Sequence, residues 1–442
     1  MPVLTAGEIL DSIPGCCLVR GSRRDSFSGI STDSRKIQKN QLFVALSGEL
    51  FDGFDFAEDA CNAGAKALVV SPRDNYPQGF GSVITTEDTA VFLLSLAGYL
   101  TRKLRLSTIM VTGSCGKTTT KEFLAALLAK KFNVLKSSGN FNNRTGVPLS
   151  IFQATGEEKF AVLEIGMNHP GEIREIVTCV KPEFAIVSNV GPVHLEHFQS
   201  MAGIAQAKLE ILSSAGASTF ALLNGRTPLL RRYLPKDFPG STLFYNWRVA
   251  GNRLVLPDCG EEFTFREDQR EIISSFVPAL ILARTLSVSH SACQELLLDP
   301  PAVSGRYEIL NFKGIKIIND SYNANPVSME CALKRCAKLI GRKIYVLGDM
   351  LELGPKEEDY HRRIGRLIKS GPRPEFLFTI GELARLIGAS AGRAGMLENR
   401  HFRDIDSLCS RLLEVFAPGD IILLKASRKI KLERIITKCF TT

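Results

Sequence analysis

A buried strand, a short glycine-bearing turn and an amphipathic helix follow one another in STIMVTGSCGKTTTKEFLAALLAKKF, at 107–132. Phosphate-binding loops occur in this order, because backbone N–H groups and the positive end of the helix attract phosphate oxygens. The common loop has glycine where this chain has Val111, and the first glycine here is Gly113, so the loop is a shortened variant. The segment predicts nucleotide binding, with Lys117 at the outer phosphates and the Thr118 hydroxyl on Mg²⁺.

Apolar strands alternate with helical segments along most of the 442 residues. This alternation predicts an α/β protein with parallel, wound sheets, and the length suggests three domains. We predict a small N-terminal α/β domain at 1–85, a central P-loop ATPase-type parallel sheet at 86–303, and a C-terminal Rossmann-like wound sheet at 304–442. Segment 224–271 breaks the alternation and contains a predicted hairpin, NRLVLPDCGEEFTF.

Composition and patterning argue against several classes of protein. The net charge of +9 is scattered in short basic groups without interleaved aromatic residues, which does not fit a nucleic-acid-binding face. The apolar runs fall short of the ~20 residues of a membrane-spanning helix. The N-terminus lacks a secretory pattern, and Thr5 and Glu8 there have the spacing of a capping box. Eleven cysteines without a C-x-x-C pair are typical of reduced thiols. We expect a cytoplasmic protein that neither spans a membrane nor binds nucleic acid.

Polar residues follow the predicted strands, namely Glu164, His194, Asp320, Asp349 and Lys425. Ligands bind outside the carboxyl ends of strands in open α/β sheets, although polar residues also end strands for purely topological reasons. Mg²⁺ prefers hard oxygen ligands, so Glu164 is the expected carboxylate partner of the loop. A histidine after a strand, such as His194, more often makes a structural hydrogen bond than binds a metal. Together with the loop, the two residues favour metal-assisted phosphoryl transfer.

Lys208 occupies an unexpected position in the helical segment IAQAKLEIL, at 204–212. Ile204, Ile211 and Leu212 mark the apolar face of that helix, and the spacing puts Lys208 on the same face. A buried ammonium is unfavourable unless it is paired or chemically altered. The ordinary alternative is that the aliphatic part of the Lys208 side chain lies at the edge of a core while its ammonium group reaches water.

Several motifs together resemble the ATP-dependent Mur ligases of peptidoglycan synthesis, over nearly the whole chain. They are TDSR at 32–35, TGSCGKTTTKE at 112–122, GNFNNRTGVP at 139–148, EIGMNHPGEI at 164–173, HLEHF at 194–198, AKLE at 207–210, DSYNANPVSM at 320–329, GDMLELG at 348–354 and KASR at 425–428. Within the family, GMNHPGEI and DSYNANP resemble the branch that adds D-alanyl-D-alanine to UDP-N-acetylmuramoyl-tripeptide.

The resemblance implies an N-terminal domain for the UDP-sugar, a central ATPase and a C-terminal domain for the incoming amine. It implies that ATP phosphorylates the terminal carboxylate of the peptide. The dipeptide amine then attacks the acyl phosphate, and ADP and phosphate are released. Two Mg²⁺ ions are implied, and the lysine of the A-K-x-E motif is carbamylated in this family. Carbamylation would replace a buried cation with an anion that a metal can pair. We expect a monomer.

The resemblance also implies roles for single residues. The implied catalytic residues are Lys117, Lys208, His194, Glu164 and Arg306. The implied metal ligands are Thr118 and Glu164 for one ion, with His194 and modified Lys208 for the second. The implied ATP-binding residues are Gly113, Ser114, Cys115, Gly116, Lys117, Thr118, Thr119, Arg306, Asp320 and Asn323. The UDP-substrate residues would be Thr32, Asp33, Ser34, Arg35, Asn140, Asn142 and Asn143. The dipeptide residues would be Asp349, Lys425, Ser427 and Arg428. For the last two groups, ordinary turn and capping chemistry is the alternative.

The chain departs from the family pattern at a few positions. Ser275 stands where an asparagine contacts adenine, Ala426 where glycine is usual, and Arg226 where an acidic residue is common. Two alternative functions remain at this point. One is a sister ligase or an enzyme like folylpolyglutamate synthetase, and the other is a nucleotide-gated binding protein that keeps the fold without catalysis. The third residue of the peptide substrate stays open.

Overall fold

The computed structural model describes residues 3–48, 51–393 and 395–440, which form α/β layers around three large sheets. The strands are β1 Leu4–Thr5, β2 Cys17–Arg20, β3 Ser26–Phe27, β4 Ile30–Ser31, β5 Leu42–Val44, β6 Ala67–Val70, β7 Ser82–Thr85, β8 Ser107–Thr112, β9 Val134–Lys136, β10 Phe160–Glu164, β11 Phe184–Val187, β12 Phe220–Asn224, β13 Ser241–Tyr245, β14 Arg248–Ala250, β15 Arg253–Leu256, β16 Glu261–Thr264, β17 Glu308–Phe312, β18 Ile315–Asn319, β19 Lys343–Gly348, β20 Phe376–Ile380, β21 Glu398–Phe402 and β22 Ile421–Lys425. The α-helices are α1 Ala6–Ser12, α2 Ala57–Asn62, α3 Thr89–Lys103, α4 Lys117–Ala129, α5 Gly146–Ile151, α6 Glu172–Cys179, α7 Leu195–Phe198, α8 Met201–Leu209, α9 Pro228–Tyr233, α10 Ile273–Thr285, α11 His290–Leu298, α12 Pro326–Ala337, α13 Glu357–Ser370, α14 Arg385–Ala391, α15 Ile405–Val415 and α16 Arg434–Cys439.

The N-terminal part forms a five-stranded sheet in the order β2-β7-β6-β5-β4. β2 is antiparallel to β7, and the other neighbours are parallel. The predicted capping box opens α1, because Thr5 Oγ1 accepts from the Glu8 N–H at 3.2 Å and the Glu8 carboxylate accepts from the Thr5 N–H at 2.8 Å. The expectation of a small N-terminal α/β unit is confirmed.

The central sheet is parallel throughout, in the order β13-β12-β11-β8-β10-β9. Successive residues of β8 point to opposite faces. Ile109 and Val111 pack in the core that includes α4 and α10, whereas Met110 packs in the core on the other side. Helices therefore cover both faces of the sheet, as the near-continuous apolar strands predict.

The alternation of strands and helices continues further than the sequence predicts. The expected break at Asn224 does not occur there, because α9 follows and β13 then pairs in parallel with β12, with Tyr245 opposite Asn224. β13 is a half-buried edge strand, so its apolar signal is weak. The break begins after Tyr245. The predicted hairpin is confirmed, since β15 and β16 are antiparallel with Leu254 opposite Phe263.

The N-terminal and central parts share one apolar cluster. Leu4, Ile9 and Ile84 belong to the same cluster as Leu93 and Leu100 of α3, and α3 also packs on α5 and α6 of the central part. The predicted boundary at 85 coincides with the end of β7. The two sheets are separate, but the core between them is continuous.

The C-terminal part is a wound sheet in the order β17-β18-β22-β19-β20-β21. β17 is antiparallel to β18, and all other neighbours are parallel. Two apolar clusters cover its faces, one with α15 and α16 and the other with α12 and α13. The Rossmann-like expectation is confirmed.

Two general features bear on the class of protein. The described parts of the chain contain no helix that is long and apolar enough to cross a bilayer. All eleven cysteines are free thiols, and Cys293 and Cys336 are fully buried. Buried thiols of this kind pack as small apolar side chains.

Gly98 allows α3 to cross α6 closely, because a Cβ at Gly98 would lie only 2.0 Å from the Cys179 carbonyl oxygen. We expect Gly98→Ala to lower the free energy of unfolding by about 1–3 kcal/mol, although alanine favours a helix by about 1 kcal/mol over glycine. Urea unfolding followed by circular dichroism measures the effect. Gly216→Ala is the matched control, since a Cβ at Gly216 would meet no neighbouring atom within 4 Å. A stabilised Gly98→Ala variant would show that the crossing is not tight.

Candidate functional site

The phosphate loop connects β8 to α4, as the sequence predicts. Gly116 precedes the helix with φ 78°, and a Cβ at Gly113, where φ is 156°, would lie 1.9 Å from Ser188 Oγ. Glycine is therefore required at both positions. Asn189, which the sequence reasoning missed, supports the loop from the end of β11. Its Oδ1 accepts from the N–H groups of Ser114 and Cys115 at 3.0 and 2.9 Å.

Glu164 lies at the end of β10 and faces the start of α4. It is 2% exposed, and its Oε2 accepts a hydrogen bond from Thr118 Oγ1 at 2.6 Å. Its other oxygen, Oε1, accepts from Asn142 Nδ2 at 2.9 Å. The predicted pairing of loop threonine and strand-end carboxylate is thus present in the geometry. Asn142 was expected at the UDP-substrate, and the structure places it on Glu164.

Lys117 extends over the loop, where its Nζ donates to the Gly113 carbonyl at 2.8 Å. Burial lowers the pKa of Lys117, Glu164 opposes this change, and the nearby Arg306 adds to it. The Lys117 ammonium therefore lies close to both the Glu164 carboxylate and the Arg306 guanidinium. Such a group is suited to stabilising negative charge on a phosphoryl oxygen.

Lys208 lies in α8 and is buried, with only 2% of its surface exposed. Its side chain has no hydrogen bond or ion pair with any residue that the structure describes. Burial, together with the neighbouring Lys117 cation, holds the pKa of Lys208 well below its usual value. The alternative in which the Lys208 ammonium reaches water from the edge of a core does not fit this burial. A neutral amine does fit it, and only a neutral amine is a nucleophile toward CO₂.

His194 precedes α7 in the left-handed conformation, with φ 52°. Its Nδ1 lies 2.6 Å from Oε2 of Glu352, a residue of the C-terminal part that the sequence reasoning missed. This ring nitrogen is buried, and its contact with the carboxylate is close but does not have the geometry of an aligned hydrogen bond. The histidine lowers the pKa of Glu352.

A cavity of about 370 Å³ opens between the phosphate loop and the C-terminal part. Arg306, Asp320 and Lys425 line it opposite Gly116 and Ser275. A smaller cavity of about 70 Å³ adjoins it and is lined by His194, Asn323 and Glu352 together with the loop. The structure therefore brings the predicted ATP-binding residues of two domains to one cleft.

Two other cations that line the cleft, Arg306 and Lys425, differ in their surroundings. Arg306 stacks on the Tyr322 ring, with its guanidinium carbon 4.0 Å from the ring centre, and its buried Nε has no hydrogen-bond partner among the described residues. Lys425 is 1% exposed, and its Nζ lies 2.7 Å from Asp320 Oδ2. Arg306 is thus available to an anionic ligand, whereas the charge of Lys425 is already neutralised.

Ser275 packs against the phosphate loop at the mouth of the larger cavity. A Cβ at Gly116 would lie 2.4 Å from Ser275 Oγ, and Thr120 Oγ1 donates to the Ser275 carbonyl at 2.7 Å. The small side chain therefore lets α10 approach α4 closely. This packing accounts for a serine at a position where the family resemblance suggests a longer amide.

The predicted UDP-substrate residues fall into two places. Thr32, Asp33, Ser34 and Arg35 line a separate cavity of about 610 Å³ in the N-terminal part, together with aromatic side chains such as Phe51. The asparagines lie elsewhere, in the segment before α5. Asn143 Oδ1 accepts from the N–H groups of Thr145 and Gly146 at 3.2 and 2.8 Å, Asn142 contacts Glu164, and Asn140 is exposed.

Three of the four predicted dipeptide residues hold neighbouring parts of the chain. Asp349 Oδ1 accepts from the N–H groups of Leu383 and Ala384, at 3.0 and 2.7 Å. Ser427 Oγ accepts from the Leu351 N–H at 2.9 Å, and Lys425 pairs with Asp320 as described. Arg428 is the exposed member, with 64% of its side chain accessible. Its guanidinium pairs at 3.1 Å with Glu433, so its charge has a carboxylate partner at the surface.

The residues at the phosphate loop fit Mg²⁺. Thr118 and Glu164 present a hydroxyl and a buried carboxylate that already meet, and these are hard oxygen ligands of the kind that Mg²⁺ takes. Within the described ranges, no group of three or more His, Cys, Asp or Glu side chains is placed to hold a metal alone. A metal here would complete its shell with phosphate oxygens and water, as Mg²⁺ commonly does.

Lys208→Met tests whether the buried amine is neutral. When burial lowers a lysine pKa, the unfolded chain binds a proton that the folded chain lacks between the two pKa values, so stability rises with pH. The variant lacks this dependence. We expect Lys208→Met to raise the free energy of unfolding more at pH 7 than at pH 9, by up to about 1.4 kcal/mol per pH unit, in buffers without CO₂. Lys236→Met, at an exposed lysine, is the control. An equal effect at both pH values would mean that Lys208 is charged when folded.

Comparisons with known proteins cover all three parts of the chain. The Mur ligase family, catalytic domain matches 26–92, the Mur ligase middle domain matches 111–247, and the Mur ligase, glutamate ligase domain matches 305–428. A relative from Bacillus subtilis (strain 168), named UDP-N-acetylmuramoyl-tripeptide--D-alanyl-D-alanine ligase, is 33% identical, and the alignment covers 98% of this chain and 97% of the relative.

Solved structures give the same result. A crystal structure of MurF from Acinetobacter baumannii superposes with a TM-score of 0.86 at 25% identity, over 99% of both chains. A MurF ligase from Thermotoga maritima in complex with ADP superposes with a TM-score of 0.77 at 26% identity, over 92% of this chain and 96% of that one. The resemblance seen in the motifs is therefore confirmed over the full length, and this chain belongs to the Mur ligase family.

Proposed function

We propose that this protein joins D-alanyl-D-alanine to UDP-N-acetylmuramoyl-tripeptide at the expense of ATP, the last ligase step in making the peptidoglycan precursor. The observation that carries the proposal is full-length similarity to ligases of that name, 33% identical over 98% of this chain in one case. The geometry supports it, because the loop and His194 line one cleft, Glu164 meets the loop at Thr118, and the buried Lys208 lies near Lys117. ATP is supported by the ADP-bound relative from Thermotoga maritima.

The proposed first step is attack of the peptide's terminal carboxylate on the γ-phosphorus of ATP, which forms an acyl phosphate and releases ADP. The loop N–H groups and the start of α4 hold the phosphates. Lys117 and Arg306 both line the smaller cavity beside the loop, and their positive charge would stabilise the phosphoryl oxygens that gain negative charge. Asp320 and Asn323 are proposed contacts of the nucleoside end.

The proposed second step is attack of the dipeptide amine on the acyl carbon. The amine loses a proton, the tetrahedral intermediate collapses, and phosphate leaves. Arg428, which is exposed at the C-terminal rim, is the proposed partner of the dipeptide carboxylate. Asp349, Lys425 and Ser427 support this site by holding the loops around it. The cavity formed by residues 32–35 is the proposed site of the uridine end.

Two Mg²⁺ ions are part of the proposal and would supply charge neutralisation at the phosphate oxygens. Thr118 and Glu164 would hold one ion, and His194 with carbamylated Lys208 would hold the other. Addition of CO₂ to the neutral Lys208 amine forms an N–C bond and releases one proton. The product is an anion, which the neighbouring Lys117 cation stabilises, whereas the same cation disfavours a charged Lys208 ammonium.

The substrates of the proposed reaction are cytoplasmic precursors, so the proposal implies a cytoplasmic enzyme. We also propose that the enzyme acts as a monomer. It also distinguishes the chain from an inactive nucleotide-binding relative. Such a relative would bind ATP without acceptor-dependent turnover, whereas a ligase requires all three substrates.

Phosphate release tests the proposed reaction. We expect release with ATP, Mg²⁺ and UDP-N-acetylmuramoyl-tripeptide only when D-alanyl-D-alanine is added, and mass spectrometry should show a product heavier by that dipeptide. Tripeptides with different third residues should be compared in parallel. ATP binding without dipeptide-dependent release would point to another acceptor or to an inactive relative.

Lys208→Ala tests the carbamate. We expect the variant to lose about 100-fold or more of its turnover, the scale seen when one electrostatic stabiliser is removed. Formate or acetate should restore part of the rate, because a small carboxylate can occupy the place of the missing one. Lys236→Ala should be unaffected by either anion, since Lys236 is exposed. Near-normal turnover of Lys208→Ala would refute the carbamate.

A further inference from the structure

Glu352 and His194 belong to different parts of the chain and meet across the cleft. His194 lies after β11 of the central sheet, and Glu352 lies after β19 of the C-terminal sheet. The His194 Nδ1 atom is 2.6 Å from Glu352 Oε2, and no other described residue is a hydrogen-bond partner of this atom. The opposite ring nitrogen, Nε2, has no hydrogen bond to the described residues. The contact therefore engages one ring nitrogen and leaves the other available.

Both residues adopt a backbone conformation that is unfavourable for their side chains. His194 has φ 52° and Glu352 has φ 64°, in the left-handed region where glycine is the usual residue. Such strain persists only where the surrounding structure over-determines it, and it is concentrated at functional sites. Glycine at either position would relieve the strain but remove the contact.

The Glu352 loop is anchored by hydrogen bonds within the C-terminal part and touches the central part. Met350 N–H donates to the buried His361 Nε2 at 3.0 Å, and Leu351 N–H donates to Ser427 Oγ at 2.9 Å. Two residues further on, a Cβ at Gly354 would lie 3.1 Å from the Glu196 amide nitrogen, beside His194. These hydrogen bonds therefore fix the backbone of the Glu352 loop, and the loop contacts the segment that carries His194.

We propose that Glu352 is a positioning residue that orients His194 when the C-terminal domain docks. Its carboxylate accepts a hydrogen bond from His194 Nδ1–H, after a small side-chain rotation, and this directs Nε2 toward the second metal. Metal-binding histidines commonly donate their other N–H to a carboxylate, which fixes the ring and its tautomer. The inference rests on the proposed role of His194 at that metal.

The arrangement couples domain docking to assembly of the site. His194 is on the central domain, but the carboxylate that orients it arrives with the C-terminal domain, which also carries the proposed dipeptide site. The second metal would therefore be held well only when the domain that brings the amine is in place. This order suits a reaction whose acyl phosphate must not meet water first.

The test uses Mn²⁺ as the probe, titrated into the full-length protein with ADP and followed by electron paramagnetic resonance. Of the two expected Mn²⁺ sites, we expect Glu352→Ala to lower the affinity of the one that binds more weakly by about 10–100-fold. Glu352→Gln should lose less, because its amide oxygen still accepts from Nδ1–H. The double variant His194→Ala/Glu352→Ala should bind Mn²⁺ no more weakly than His194→Ala alone, since one residue acts through the other.

Glu358→Ala is the matched control. Glu358 is 53% exposed, close to the 51% of Glu352, but its partner Arg362 lies in the same helix. This variant should bind Mn²⁺ like the wild type. Thermal unfolding checks that each variant is folded. If Glu352→Ala does not fold, Glu352→Gln takes its place in the Mn²⁺ titration.

Unchanged Mn²⁺ affinity in the Glu352 variants, or additive losses in the double variant, would overturn the inference. Ligase turnover of the wild type is a separate measurement. A wild type without turnover but with non-additive Mn²⁺ losses would refute the proposed reaction and leave the role of Glu352 intact. A wild type that shows ligase turnover, together with additive Mn²⁺ losses in the double variant, would support the proposed reaction and refute the role of Glu352.

Discussion

The parallel pairing of β8 with both β10 and β11 is the constraint on which the site depends. In a parallel sheet, the carboxyl ends of neighbouring strands lie at one edge. The phosphate loop after β8 is therefore flanked by Glu164 from β10 and by Asn189 from β11. A register slip of β10 by one residue would point Glu164 to the other face of the sheet. The apolar residues on both faces hold that register, so packing within the sheet determines the geometry of its edge.

Docking of the C-terminal domain supplies what this edge lacks. The edge of the central sheet has a cation, a carboxylate and a threonine, but nothing on its open side. The C-terminal domain closes that side with Arg306 and with the Glu352 loop. The two domains do not share a sheet. No apolar cluster of the described residues spans both domains, and their contacts include the ion pairs of Lys338 with Glu267 and Glu271. The relative position of the domains and the completeness of the site therefore depend on each other.

Much of the architecture was predictable because the signals are local. The capping box at Thr5, the glycine turn before Lys117 and the hairpin each depend on residues within a few positions of one another. Edge strand β13 was missed, because a half-buried edge has too little apolar periodicity to be distinguished from a loop. Asn189 was missed for another reason: an asparagine after a strand is common, and only the fold places its side chain against the loop amides.

The order of strands and helices, the phosphate loop and the family follow from the sequence alone, since these depend on local patterns and on motifs that can be read along the chain. Which polar residues meet depends on the three-dimensional packing. That packing buries Lys208 with no described residue as the partner of its amine, pairs Lys425 with Asp320, and places Glu352 against His194. These contacts join residues that are distant in sequence, and burial and pairing, not residue type, decide whether a charged side chain reacts, binds or supports its neighbours.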